Sequence, residues 1–180
     1  GGTLGWLFRT GSHVIDTMCF FAESNPAQVF AQLEDDYDDW DSYKGIGGGN
    51  QTERDPGAIG YILFENGIRG FFSCMKDMTD IYRAVTIVGT AGYITFDMQG
   101  QVAELYAPDP ASPMISVRRE IMSEPVRFGP VEVAHRELID NVENHTASVS
   151  PATEARKSVQ IMMGFLNSHQ KDGRLVDVPR

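Results

Sequence analysis

The chain has 180 residues, 42% of them hydrophobic, which suits one domain with a real core; a chain of this size buries roughly 70% of the surface its unfolded form exposes. Its formal net charge of −10 repels phosphate backbones and argues against nucleic-acid binding. No apolar run approaches the ~18 residues of a membrane span, and no basic stretch followed by an apolar one marks a signal peptide, so the expectation is a single cytoplasmic domain over residues 1–180 with no membrane partner.

The opening “GGTLGWLF” is short and apolar and reads as a strand or extended lead-in. From Ser12 the period changes. Val14, Ile15, Met18, Cys19, Phe21 and Ala22 fill one broad helical face. Thr10 or Ser12 is placed to cap this helix, and Pro26 to end it. “AQVFAQL” then alternates as a strand does. The long polar stretch that follows contains Gly45, Gly47, Gly48 and Gly49. These glycines lack the Gly-Lys-Ser/Thr of a phosphate loop and its flanking strand and helix, so a surface loop is predicted.

The centre carries four apolar, β-branched or aromatic runs: “AIGYILF”, “IRGFFSCM”, “RAVTIVG” and “YITFDM”. Asn66-Gly67 between the first two is a hairpin signal. “QVAELYA” and “ISVRREI” read as further strands. Short connections favour antiparallel neighbours. Residues 27–121 therefore predict an open, mostly antiparallel sheet of about six strands. Apolar residues point both ways in “YILF” and “GFFSCM”, so one sheet face needs a cover beyond the chain's own helices.

The last third is helical. Ala134, Leu138, Ile139 and Val142 stand at helical spacing, as do Ala155, Ser158, Val159, Met162, Met163 and Leu166. Ser150 is a good N-cap, Pro151 suits the first helical position and Glu154 the first turn. Gly173 stops the helix and “LVDVP” reads as a terminal strand. The fold class is α+β, with helices packed on one face of an antiparallel sheet.

One short stretch, “RTGSHVID”, concentrates polar chemistry at a helix start. From the residues alone, His13 is either a proton acceptor or a first-turn residue of a capped helix, and Asp16 is either a substrate contact or a helix-start carboxylate. A metal site is not expected. Two groups at i and i+3 need at least one more ligand, and His135, His145 and His169 have no evident relation to them. Cys19 and Cys74 lie in apolar runs and read as buried thiols.

In their order, “GSHVID”, “ILFENGIRGFFSC”, “VTIVGTAGYITF” and “EARKSVQIMMGFLNSHQKDGRLVDVP” resemble the C-terminal domain of the glucose–fructose oxidoreductase / inositol dehydrogenase / MocA (Gfo/Idh/MocA) family over nearly the whole chain. The resemblance implies a partner Rossmann domain that binds NAD or NADP, a sugar-like substrate, and a homo-oligomer, dimer or tetramer, formed through the open sheet face. It implies that His13 is catalytic, as general base or as partner to the substrate hydroxyl. The position four before His13 is commonly aspartate in the family; here it is Arg9. A cation cannot serve as acid or base near neutral pH, but it can clamp an acidic substrate, or else pair with the acidic loop. Asp16 completes the motif.

The Rossmann fingerprint and the family's Glu-Lys-Pro segment are not in these residues. No cofactor-binding residue is therefore assigned, and the chain alone is expected to bind no dinucleotide tightly and turn over no sugar. The function expected is the C-terminal half of an NAD(P)-dependent oxidoreductase for a sugar, polyol or related hydroxy compound. An NAD-dependent glycosidase and a non-catalytic dimerisation or ligand-binding module are the alternatives.

Overall fold

In a computed structural model the described residues are 6–34, 55–75, 84–97, 102–122 and 129–179. The polar stretch read as a loop lies almost wholly outside them. The chain divides into two compact units, Gly1–Thr79 with Val149–Arg180, and Asp80–Ser148.

The first unit begins with a π-helical turn, Trp6–Gly11, that runs straight into α1, Ser12–Ala22. The extended lead-in predicted for “WLF” is therefore corrected to helix. The cause lies far along the chain. A carboxylate at Asp55 accepts the free backbone N–H groups of this first turn, which is what a helix start requires. With the run continuous, neither Thr10 nor Ser12 caps it; Ser12 Oγ instead donates to Arg9 O at 3.0 Å. The helix also ends before Pro26. Glu23 turns left-handed, φ 47°, and its N–H donates to Cys19 O.

Pro26 instead opens β1, Pro26–Leu33, which pairs antiparallel with β2, Ala58–Phe64, and β2 with β3, Arg69–Cys74. Asn66 and Gly67 lie in the β2–β3 connection as expected, and Gly67 takes φ 86°, a region that favours glycine. Asn66 does more than turn. Its Oδ1 accepts Ile68 N–H, and its Nδ2 donates to Ala22 O, tying the hairpin to the end of α1.

The second unit holds β4, Ala84–Gly89; β5, Gly92–Asp97; β6, Val102–Asp109; β7, Ser112–Met122; and α2, Pro130–Asn144. Its four strands form one antiparallel sheet in the order β4-β5-β6-β7. Gly92 is needed in its first turn: φ is 139° and a Cβ there would strike Tyr106 O.

α3, Ala152–His169, and β8, Val176–Asp177, return to the first unit. The helix starts one residue later than predicted, with Pro151 extended at the cap position. β8 pairs with β1, giving the sheet order β3-β2-β1-β8. The α+β class and antiparallel pairing are as the sequence predicts. The strands, however, are hydrogen-bonded among the described residues as two sheets of four rather than one of about six.

Strand alternation separates the faces of the first sheet. Val29, Ile62, Ala31 and Phe72 face α1 and α3 and are buried. The Phe165 ring lies over Gly60, where a Cβ would collide with it, and 5.9 Å from the Phe72 ring. Gly164 lets α3 approach Val29; a Cβ there would stand 2.6 Å from Val29 Cγ2. On the opposite face Phe30, Tyr61 and Phe71 form a cross-strand ladder with ring centroids 5.6 Å apart at each step. Phe71 is 79% exposed and Ile59 64%. The apolar character read on both sides of these strands is thus present.

Phe165→Ala should destabilise the first unit by about 3–5 kcal/mol, because the ring fills the space over Gly60. Urea denaturation followed by tryptophan fluorescence and circular dichroism measures this. A loss below about 1 kcal/mol contradicts the packing described.

Candidate functional site

The site begins with the helical run from Trp6 to Ala22. Arg9, His13 and Asp16 follow at spacings of four and three, which places them on one side of the run. His13 is the second residue of α1 and its side chain is exposed; its carbonyl accepts the Thr17 hydroxyl at 2.9 Å. The Arg9 side chain is also exposed and makes no ion pair among the described residues. Its charge interacts with the buried Asp55 carboxyl, which it helps to pull down.

Asp16 has a mixed position. Its Oδ1 accepts a hydrogen bond from Ser158 Oγ at 3.1 Å, and Ser158 is buried in the seam between α1 and α3. The bond braces one helix against the other and leaves Oδ2 for solvent or a ligand. Lys157, beside Ser158, pairs with Glu154 at 2.7 Å.

A residue that sequence reading missed holds this run in place. Asp55 is 4% exposed. Its Oδ1 accepts Leu7 N–H at 3.0 Å and Phe8 N–H at 2.9 Å, and its Oδ2 accepts Arg9 N–H at 3.1 Å. Leu7 N–H also reaches Pro56 O at 3.2 Å. Burial pushes the Asp55 carboxyl above the usual carboxylate range, while the three N–H bonds and the Arg9 charge pull it down. In the sequence Asp55 is only the acid of “RDPG”, a turn-like tetrapeptide. Its partners are 46 to 48 residues away, and no local pattern announces them.

Neither thiol offers a nucleophile. Burial, with the Asp16 charge added, pushes Cys19 up to about 12, and burial pushes Cys74 up to about 12. Both are free. Among the described residues no three His, Cys, Asp or Glu side chains gather as a metal site. None of the described helices is long and apolar enough to cross a membrane. An open groove of about 930 Å³ exists in the first unit, but none of the three candidate residues lines it. Several of its polar groups pair with one another: Gln28 with Asp177, Asn25 with Glu65, and Gln160 with the Pro179 carbonyl.

An exposed imidazole and an exposed guanidinium one turn apart, on a helix seated against an antiparallel sheet, make a surface suited to a polar ligand. The same fold occurs in solved proteins. An NAD-binding protein from Listeria innocua matches with TM-score 0.64 and 18% identity, over 96% of this chain and 47% of that one. Levoglucosan dehydrogenase, solved with NADH and L-sorbose, matches with TM-score 0.71 and 18% identity over 93% and 49%. The super-repressor mutant of Gal80p from Saccharomyces cerevisiae matches with TM-score 0.67 and 12% identity over 95% and 49%. The chain thus spans about half the length of these proteins. No curated protein matches the sequence. The fold shared with these proteins is an open-sheet α+β domain. The chain belongs to the GFO/IDH/MocA family, whose C-terminal domain model matches residues 3–95.

Asp55→Ala should destabilise the fold by about 2–4 kcal/mol, since it leaves three N–H groups of a helix start without an acceptor. The pH dependence has a definite sign. The folded carboxyl lies above its unfolded value of about 3.9. The part of the stability that comes from this shift is therefore fully present below about pH 3.9 and is lost as pH rises through the folded value, while the N–H bonds remain. Urea denaturation of wild type and Asp55→Asn at several pH values should show wild type losing ground to the variant as pH rises from about 4, then a plateau. The opposite slope refutes this.

Proposed function

We propose that this chain is the substrate-side half of an NAD(P)-dependent oxidoreductase acting on a sugar, polyol or related hydroxy compound. The observation that carries the reading is the exposed His13–Arg9 pair at the start of α1 in a chain of this family. Oxidoreductases of this fold include one solved with NADH and L-sorbose, and the substrate class proposed follows that example.

In this reading NAD(P) is held mainly by a partner Rossmann domain, as the family resemblance implies. NAD(P), when bound, would supply the hydride acceptor for the carbinol carbon of the substrate. The proton of the same hydroxyl must then leave. His13 accepts it, because an imidazole can serve as a general base and this side chain is exposed. Arg9 binds an anionic group on the substrate, a carboxylate or phosphate, since a guanidinium matches both geometries. The free oxygen of Asp16 is placed to accept a substrate hydroxyl, while its other oxygen holds α1 to α3.

The Phe30–Tyr61–Phe71 ladder, exposed at Phe30 and Phe71, and the exposed Ile59 support the outer face of the first sheet as the oligomer interface of the complete protein. Light scattering at tens of micromolar should give at least a dimer, and Phe71→Glu should weaken it. A strictly monomeric wild type contradicts this assignment.

The catalytic reading is tested by steady-state kinetics on the full-length enzyme, with product analysis to separate an oxidised sugar from a cleaved glycoside. His13→Ala should lower kcat by about 10²–10⁴-fold with an unchanged melting curve. Arg9→Ala should raise KM for an anionic substrate more than it lowers kcat, because the binding it removes is present in ground and transition states alike. Wild-type turnover by His13→Ala returns His13 to a structural role.

A further inference from the structure

Asp55 has a structural task, but its placement is specific. It does not cap α1 at its first residue. It binds three consecutive N–H groups of the π-helical turn before α1, and the last of these belongs to Arg9. The turn and α1 are continuous, so the backbone that Asp55 holds carries His13 four residues later. Asp55 itself has little freedom. It is buried, and the residues that follow it are anchored on both sides: Pro56 O accepts Leu7 N–H, and Gly57 O accepts Glu34 N–H at 3.1 Å. Leu7, fully buried, secures the same turn by packing.

We propose that Asp55 is a positioning residue of the active site: by gripping the Leu7, Phe8 and Arg9 amides it sets where the helical run presents Arg9 and His13. This rests on the function proposed above. A helix start can rotate or fray when its free N–H groups lose their acceptors. A His13 displaced by about 1 Å no longer meets the hydroxyl proton, and misplacement on that scale lowers rates by about 10²-fold. The Asp55 charge also acts on the Arg9 guanidinium, so the same residue bears on both candidates.

The test uses the full-length enzyme. Asp55→Asn is nearly isosteric; it keeps one oxygen for Leu7 and Phe8 but removes the acceptor from Arg9. Asp55→Ser is the second variant should the first fold poorly, and rates are taken well below the melting midpoint. Asp55→Asn is expected to lower kcat by about 10–100-fold in the wild-type background. In the His13→Ala background the same substitution should lower it by less than about threefold, because a residue acting through His13 has nothing left to position. In the Arg9→Ala background its effect on KM should likewise vanish. Equal losses with and without His13 overturn the positioning role and leave only a structural one. Unchanged kcat in folded Asp55→Asn overturns it as well. A His13→Ala enzyme with wild-type turnover is a different failure, since it removes the catalytic reading on which the inference stands.

Discussion

The seating of α3 on the first sheet is the contact on which the rest of that unit depends. Phe165 needs the bare backbone at Gly60, and α3 needs Gly164 to come close to Val29. These two glycines act as a matched pair of clearances, one on the sheet and one on the helix. A side chain at either position would lift the helix away from the sheet. The close approach also lets the end of α3 serve the sheet edge. Beyond the short β8, the Ala31 N–H finds Ser168 Oγ at 3.0 Å and the Leu33 N–H finds His169 Nδ1 at 3.3 Å. Side chains thus replace the carbonyls that a longer edge strand would have provided.

The site inherits its geometry from that seat. α1 lies on α3, and the Ser158–Asp16 bond marks the register between them. The far end of α1 is held by Asn66 of the hairpin, and its approach by Asp55. Three separate parts of the chain therefore fix one short helix. Each single hydrogen bond contributes modestly, but together they leave the helix few ways to move. A surface imidazole gains precision only from such support, because catalysis depends on placement to within a fraction of an ångström.

Arg9 sets this chain apart from the aspartate pattern of its family. A carboxylate four residues before the histidine could share or relay a proton. A guanidinium cannot do so near neutral pH. Its exposure suits recognition rather than proton transfer. In the function proposed above, the chemistry falls to His13 and charge selection to Arg9. Asp55 is near enough to moderate that charge, yet it is committed to backbone amides.

The sequence by itself determined the local elements and the face each turns inward. The alternation in “AQVFAQL”, the Asn66-Gly67 signal and the helical spacing from Val14 to Ala22 are short-range patterns. They follow from side-chain period and from the freedom of glycine at positive φ. It also placed Arg9, His13 and Asp16 together, because four and three residues return to one side of any helix. The tertiary structure decided how “WLF” folds, how the strands group, and what holds the site. A lead-in that looks extended became a helical turn because a buried carboxylate nearly fifty residues away accepts its amides. Ser158, Ser168 and His169 read only as helix residues until the packing of α3 brings each to its partner. Hydrogen bonds of that range leave no period in the sequence; they exist only once the chain has folded and burial has made an unmet N–H costly.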